Sequence, residues 1–318
     1  MTAQQTYDEV LATLSEGSVN AHFDAFRDIN WDDPDFEIDR TDPRWVLPEV
    51  DPLGAHPWYQ ALPLERQIEI GLWRQANIMK VGLQFENVLI RGVMEYVFKL
   101  PNNTPEFRYL THEVTEETHH TQMFQEFVNR SGTNVPGARK LFRLVSPILP
   151  LAGNLLPELF FTGVLAGEEP IDHIQKNILR AGDEMHPLLQ RIMQIHVAEE
   201  ARHISFAHHY LRETVPTLHP LRKAALSITY PLTMRILCDV IVIPTKELTT
   251  EMGVPAEVVK ELYWDGSDQM LVDLFGDVRA LAEEIGLMNV VSRPLWKLLG
   301  IAGRPSRYRS EPQLRAAA

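Results

Sequence analysis

From Leu64 onward, apolar residues recur at intervals of three and four and hardly ever alternate, a pattern that predicts helices and no sheet. The predicted helices cover 64–99, 105–131, 138–147, 154–180, 184–214, 219–248 and 256–286, with breaks at "PNNTP" (101–105), at "SGTNVPG" (131–137) and around Gly182. Met79, Leu83, Ile90, Val93 and Val97 form one apolar stripe, and Ile192, Ile195, Phe206 and Tyr210 belong to another. Residues 1–60 are rich in Asp, Pro and Trp and carry only a short helical opening, which predicts an extended arm wrapped on a helical body spanning 61–290. A basic tail over 291–318 follows, with Arg293, Arg304, Arg307 and Arg309, expected to pack on the bundle or on a neighbouring subunit.

The stripes carry the same acids and imidazoles twice. Glu86 is followed by Glu117 and His120, and Glu169 by Glu200 and His203; both spacings from lone glutamate to second glutamate are 31 (117 − 86 and 200 − 169), so the halves superpose at an offset of 83. A Glu-x-x-His pair points a carboxylate and an imidazole from one helical face at one spot. About 30 residues suits a climb along one helix, a turn and a return. Four helices would then supply four carboxylates and two histidines, the ligand pattern of a carboxylate-bridged di-iron site in a four-helix bundle. One Glu-x-x-His alone is common on solvated helices, but two in matched register on apolar stripes are not, and buried carboxylates need a cation. Oxygen-rich ligation with a few imidazoles suits iron or manganese, whereas structural zinc would recruit thiolates, and Cys238 is the single cysteine.

Two details stay open on spacing alone. Glu116, Glu117, His119 and His120 contain two overlapping Glu-x-x-His pairs; the set His112, Glu116, His119 would match His196, Glu200, His203 at an offset of 84 but loses both lone glutamates, so Glu117 and His120 are preferred. Glu116 and His119 are left as supporting or packing residues. His196, one turn before Glu200, is either a seventh ligand or a core histidine bonded to a nearby oxygen. The matching position in the first half is Glu113. Pro170, directly after Glu169, removes a backbone donor and is expected to kink its helix, which could aim that carboxylate.

The stretches "EETHHTQM" (Glu116 to Met123) and "HVAEEARH" (His196 to His203), with the lone Glu86 and Glu169, resemble the AurF-type di-iron arylamine N-oxygenases, the p-aminobenzoate N-oxygenase-like branch of the ferritin-like superfamily. The resemblance runs from Leu64 to Leu211. It implies metal ligation by Glu86, Glu117, His120, Glu169, His196, Glu200 and His203, and an all-α, ferritin-like four-helix bundle with additional helices and an extended N-terminal arm. The family's aspartate before each ligand glutamate is replaced here by Glu116 and Glu199, which keeps the charge, and Met123 recurs three residues after the ligand histidine. The implied activity is oxygen activation at two iron ions and oxygen transfer to an electron-rich amine nitrogen, giving hydroxylamine and more oxidised products. A homodimer and an arylamine substrate are implied likewise.

Composition narrows the setting. At 318 residues and 45% hydrophobic, the chain can build one large core. Its net charge of −13 argues against nucleic-acid partners and anionic membranes. The polar, acidic opening lacks a secretory leader, the single cysteine allows no intrachain disulfide, and the apolar run Leu141–Gly167 is broken by Arg143, Glu158 and three prolines; a cytoplasmic enzyme without a membrane span is expected. No strand leads into a Gly-rich dinucleotide fingerprint and no Cys-x-x-Cys occurs, so electrons must come from an external reductase or carrier.

Other chemistries fit less well or equally. A radical generator of the ribonucleotide reductase type would place a tyrosine one turn after the first ligand histidine, where Phe124 stands. A di-iron C–H hydroxylase or desaturase shares the same ligand pattern. Ferritin-like iron storage by the same cage is disfavoured by the chain's extra length. Arg74, Lys80, Arg91 and Arg202 lie on the metal-bearing helices and could clamp a substrate carboxylate, though interhelical or solvent-facing charges are the commoner role.

Overall fold

A computed structural model describes residues 6–181, 185–265 and 272–303. The expected break around Gly182 and the tail arginines Arg304, Arg307 and Arg309 lie outside these residues. No strand occurs among the described residues, and the chain is an all-α, ferritin-like bundle with additional helices.

Helix α1 (Tyr7–Asn20) opens on a capping box in which Thr6 and Glu9 bond each other's backbone N–H groups. An irregular run leads to the single turn α2 (Pro57–Gln60), then to the bundle helices α3 (Leu64–Val97) and α4 (Pro105–Ser131). Short helices α5 (Lys140–Val145) and α6 (Leu151–Leu155) precede α7 (Pro157–Ala181) and α8 (Pro187–Thr214). After them come α9 (Pro220–Val242), α10 (Glu247–Thr250), α11 (Ala256–Lys260), α12 (Gly276–Glu284) and α13 (Arg293–Leu298). The helix expected over 256–286 is thus divided, and that expected over 219–248 ends at Val242, where Ile243 and Pro244 take the chain out of helical geometry.

Sequence punctuation explains the boundaries. In the pairs His56-Pro57, His186-Pro187 and His219-Pro220, proline takes the first helical position, where its missing N–H costs nothing, and the histidine ring accepts from the backbone N–H two residues on. Helix α4 ends at Gly132, whose φ of 59° sits where a side chain would be strained.

Helix α3 packs along α4 and α7 along α8, with α9 laid on α7 and α1 on α4 and α8. Two apolar cores fill the bundle. One gathers Leu89, Val93, Leu110, Phe161, Leu165 and Phe206; the other gathers Ala76, Met79, Met123, Phe127, Ile192 and Ile195. On each long helix the acids and histidines fall at the boundary between these cores, so the bundle has a polar layer sealed by hydrocarbon on both sides.

The arm is part of the second core. Ala25, Ile29, Trp31, Trp45, Leu47 and Tyr59 are all buried there. Trp45 stacks on His186 with ring centroids 4.1 Å apart, and a Cβ added to Gly71 would stand 1.9 Å from the Trp45 carbonyl oxygen, so the arm reaches α3 only where glycine leaves room.

By length and composition, Pro220–Thr250 is apolar enough to cross a membrane, with an 18-residue window of mean hydropathy 1.6, 39% of that window buried. Here α9 covers α7 and buries Tyr230, Met234 and Cys238. Cys238 is a free thiol whose pKa burial pushes up to about 12.

Candidate metal centre

Glu86 projects from α3 and Glu117 and His120 from α4, while Glu168 comes from α7 and His196, Glu200 and His203 from consecutive turns of α8. Their donor atoms form two groups, Glu86, His120, His196 and Glu200, and Glu117, Glu168, Glu200 and His203, each with all donors within 4.8 Å of one another. Glu200 belongs to both. All seven side chains are buried.

The histidines are held in one orientation from behind. The Nε2 atom of His203 donates to Glu116 at 2.7 Å and that of His120 to Glu199 at 2.8 Å, which turns both Nδ1 atoms toward the centre. Glu117 lies between those atoms, 3.1 Å from His120 Nδ1 and 2.7 Å from His203 Nδ1. His196 points the other way round: its Nδ1 meets Gln175 Oε1 at 2.9 Å, and its Nε2 lies 3.3 Å from Glu200 and 3.5 Å from Glu86.

Electrostatics show how strongly this layer favours a cation. Burial, then the Glu117 charge, raises the Glu86 carboxyl well above its ordinary range, and burial with Glu200 and Glu117 does the same to Glu168. Burial opposes ionisation of Glu117 too, but His203 and His120 outweigh it and hold that carboxyl well below the usual range. Burial would lower His120, yet Glu117 and Glu199 raise it to about 10; it brings His196 down to about 4, leaving that ring neutral. Glu113, the counterpart of His196, has neither oxygen hydrogen-bonded and is raised by burial to about 8.

The side chains fit a metal. Both oxygens of Glu168 and Glu200, and Oε1 of Glu117, are buried without a hydrogen-bond donor. Such a set is costly unless cations bind it. Four carboxylates with three imidazoles and no thiolate suit iron or manganese.

Of the seven residues expected from sequence, the structure brings together Glu86, Glu117, His120, His196, Glu200 and His203. Glu169 is not among them. Its carboxylate pairs with His208 on the other side of α7, and Glu168 takes the place facing the centre. The physical reason is helical phase: Phe161, Leu165 and Glu168 fall on one inward stripe, and the next residue is rotated about 100° from it. The exact repeat spacing misled because linker length is free to differ between the halves, making the second interval 32 (200 − 168). Pro170 lies within α7, whose helix continues through it to Ala181, and the carboxylate it was expected to aim is the one that turns away. The adjacent glutamates at 168 and 169, read against that stripe, were the available signal. Gln175, which holds His196, carried none.

The four cations are engaged elsewhere. Arg74 pairs with Asp51 at 2.8 Å and Arg202 with Glu116 at 2.9 Å, while Lys80 donates to Gln125 and Arg91 to backbone carbonyls.

Fold and site together define a ferritin-like helical protein with a buried carboxylate and histidine centre able to hold metal. The chain belongs to the p-aminobenzoate N-oxygenase AurF family, which matches residues 4–286, including most of the arm and the helices from α9 to α12. It is 57% identical over 309 residues to proteins of Mycobacterium bovis and Mycobacterium tuberculosis described as uncharacterized, an overlap of 96% of this chain and 91% of each relative. Membership makes it an oxygenase-family protein of di-iron type.

Proposed function

We propose that this chain is a non-haem di-iron oxygenase that N-oxygenates an amine, taking it to the hydroxylamine and nitro levels with dioxygen. The observation that carries the reading is the pair of four-residue groups sharing Glu200 within a chain of this family. Two iron ions held there would supply the redox chemistry that activates dioxygen. The protein's own part is to hold three imidazoles in fixed orientations, through Glu116, Glu199 and Gln175, and to exclude water with the two flanking cores. Glu113, an acid raised to about 8 one turn from Glu117, is placed to hold a proton near the centre at neutral pH. An external reductase or small carrier would return the electrons.

The test begins with metal analysis of protein produced in iron-supplemented medium. Two irons per chain are expected, lost on Glu117→Ala and kept on the control His119→Ala, whose half-buried ring accepts from Ala25 N–H in the arm. Reduced iron-loaded protein given dioxygen and an arylamine should yield hydroxylamine or nitro product by mass spectrometry. Zinc as the bound metal, or none, overturns the reading; two irons with oxidation of carbon and never of nitrogen moves it to C–H hydroxylation, which the apolar surroundings of His196 and Glu86 would also serve.

A further inference from the structure

A cavity of about 570 Å³ reaches the Glu86, Glu168 and His196 side of the centre. Its shape is long. Along α3 the lining extends from Trp73 to Leu89 and along α7 from Leu159 to Ile178, spans of about 24 and 28 Å at 1.5 Å per residue. Further wall comes from α9, from Phe142, Leu149 and Ala152 of the α5–α6 segment, and from parts of the arm, α4, α8 and the chain after α9. That segment also carries Leu141, Leu144, Ile148 and Leu155 outward at 71%, 73%, 63% and 66% exposure, so the same apolar character continues onto the adjacent surface.

The lining offers nothing for an anion. Among its described residues Arg74 is the single Lys or Arg, and Asp51 already matches that charge at 2.8 Å, both side chains being buried. A carboxylate brought to Arg74 would have to displace Asp51 and strand a buried charge. His173 is driven toward its neutral form by burial. Thr245 and Tyr263, whose buried hydroxyl oxygens have no hydrogen-bond partner, leave polar contacts for an uncharged group.

We propose that the cavity takes an amine carried on a long, uncharged apolar body of the alkyl type, with the nitrogen at the Glu86, Glu168 and His196 end, rather than a compact aminobenzoate anion. The placement of the nitrogen rests on the oxygenase reading above; the selection of an uncharged chain does not.

Gly163 gives a clean probe. It lies in the α7 wall, and a Cβ added there meets only Leu237 at 3.5 Å, an ordinary contact, so a larger side chain projects into the cavity without strain. Binding to the iron-loaded protein would be measured anaerobically by calorimetry with 4-octylaniline, dodecan-1-ol and p-aminobenzoate. The two chain-bearing probes should bind at least about tenfold more tightly than p-aminobenzoate, and Gly163→Leu should weaken both by about tenfold with iron content unchanged. Asp51→Asn, which releases the Arg74 charge, should raise p-aminobenzoate affinity by about fivefold, a gain that misfolding cannot mimic. The proposal is overturned if p-aminobenzoate binds as tightly as the long probes, or if Gly163→Leu changes nothing. Tight dodecan-1-ol binding without any N-oxygenated product from 4-octylaniline would refute the oxygenase reading and leave this one standing; N-oxygenation of p-aminobenzoate without long-chain binding would do the reverse.

Discussion

His120 reaches across the bundle to Glu199, donating from Nε2 at 2.8 Å to a residue 79 positions later, while Glu116 holds His203 in the mirrored arrangement at 2.7 Å. His120 and His203 are thus each oriented by the acid that precedes the ligand glutamate of the opposite motif. Within each motif the two adjacent glutamates divide the work. One faces the centre and its neighbour grips the other helix's imidazole.

Glu199→Gln keeps an acceptor for His120 but removes the charge that raises the ring's basicity. Iron affinity should fall about 10- to 100-fold, read by competition with a chelator, while far-ultraviolet circular dichroism stays unchanged. Glu116→Gln should act equally through His203. Unaltered iron affinity in both variants would show that these acids serve packing alone.

Glu168 and Glu169, adjacent in sequence, should fail differently. Glu168→Ala is expected to leave one iron or fewer per chain with little loss of metal-free stability, since it deletes a carboxyl that Glu200 and Glu117 repel. Glu169→Ala should keep both irons but cost about 1–3 kcal/mol in denaturant unfolding, because it removes the hydrogen-bond partner of buried His208. Metal analysis beside urea melts separates the two, and the reversed pattern would refute the assignment of Glu168.

His186 supplies a pH test remote from the metal. Its Nδ1 accepts from Leu188 N–H and its Nε2 donates to the Glu37 carbonyl, an arrangement only the neutral ring can make, and burial lowers its pKa. The unfolded chain, with a histidine pKa near about 6.5, then binds the proton first as pH falls. Stability from this residue is therefore complete above about pH 6.5 and drains away below it. Thermal melts of the wild type should drop more between pH 7 and 5 than those of His186→Asn, which caps α8 without titrating; parallel curves would refute it.

What the sequence made legible, and what it did not, follows from how each feature is encoded. The long helices were readable because periodicity, proline starts and Gly132 agree at every boundary. The Glu-x-x-His pairs were readable because both members share one helix, so spacing alone fixes their geometry. Glu168 was not, since a lone glutamate on a separate helix is placed by helix phase and linker length, and an error of one residue turns it out of the site. The matching of Arg74 by Asp51 was equally hidden, depending on how the arm returns to α3.

That return has an effect on the centre itself. The backbone N–H of Phe23 donates to Glu199 Oε1 at 2.9 Å, and Arg202 binds both the Ala21 carbonyl and Glu116. Two of the bonds that steady the imidazole-holding acids therefore originate in a surface segment more than 40 residues before the bundle begins at Leu64. A bundle trimmed to its helices would still contain every ligand, yet its histidines would lose the outer brace of their grip. The arm therefore belongs to the candidate centre as much as to the second core.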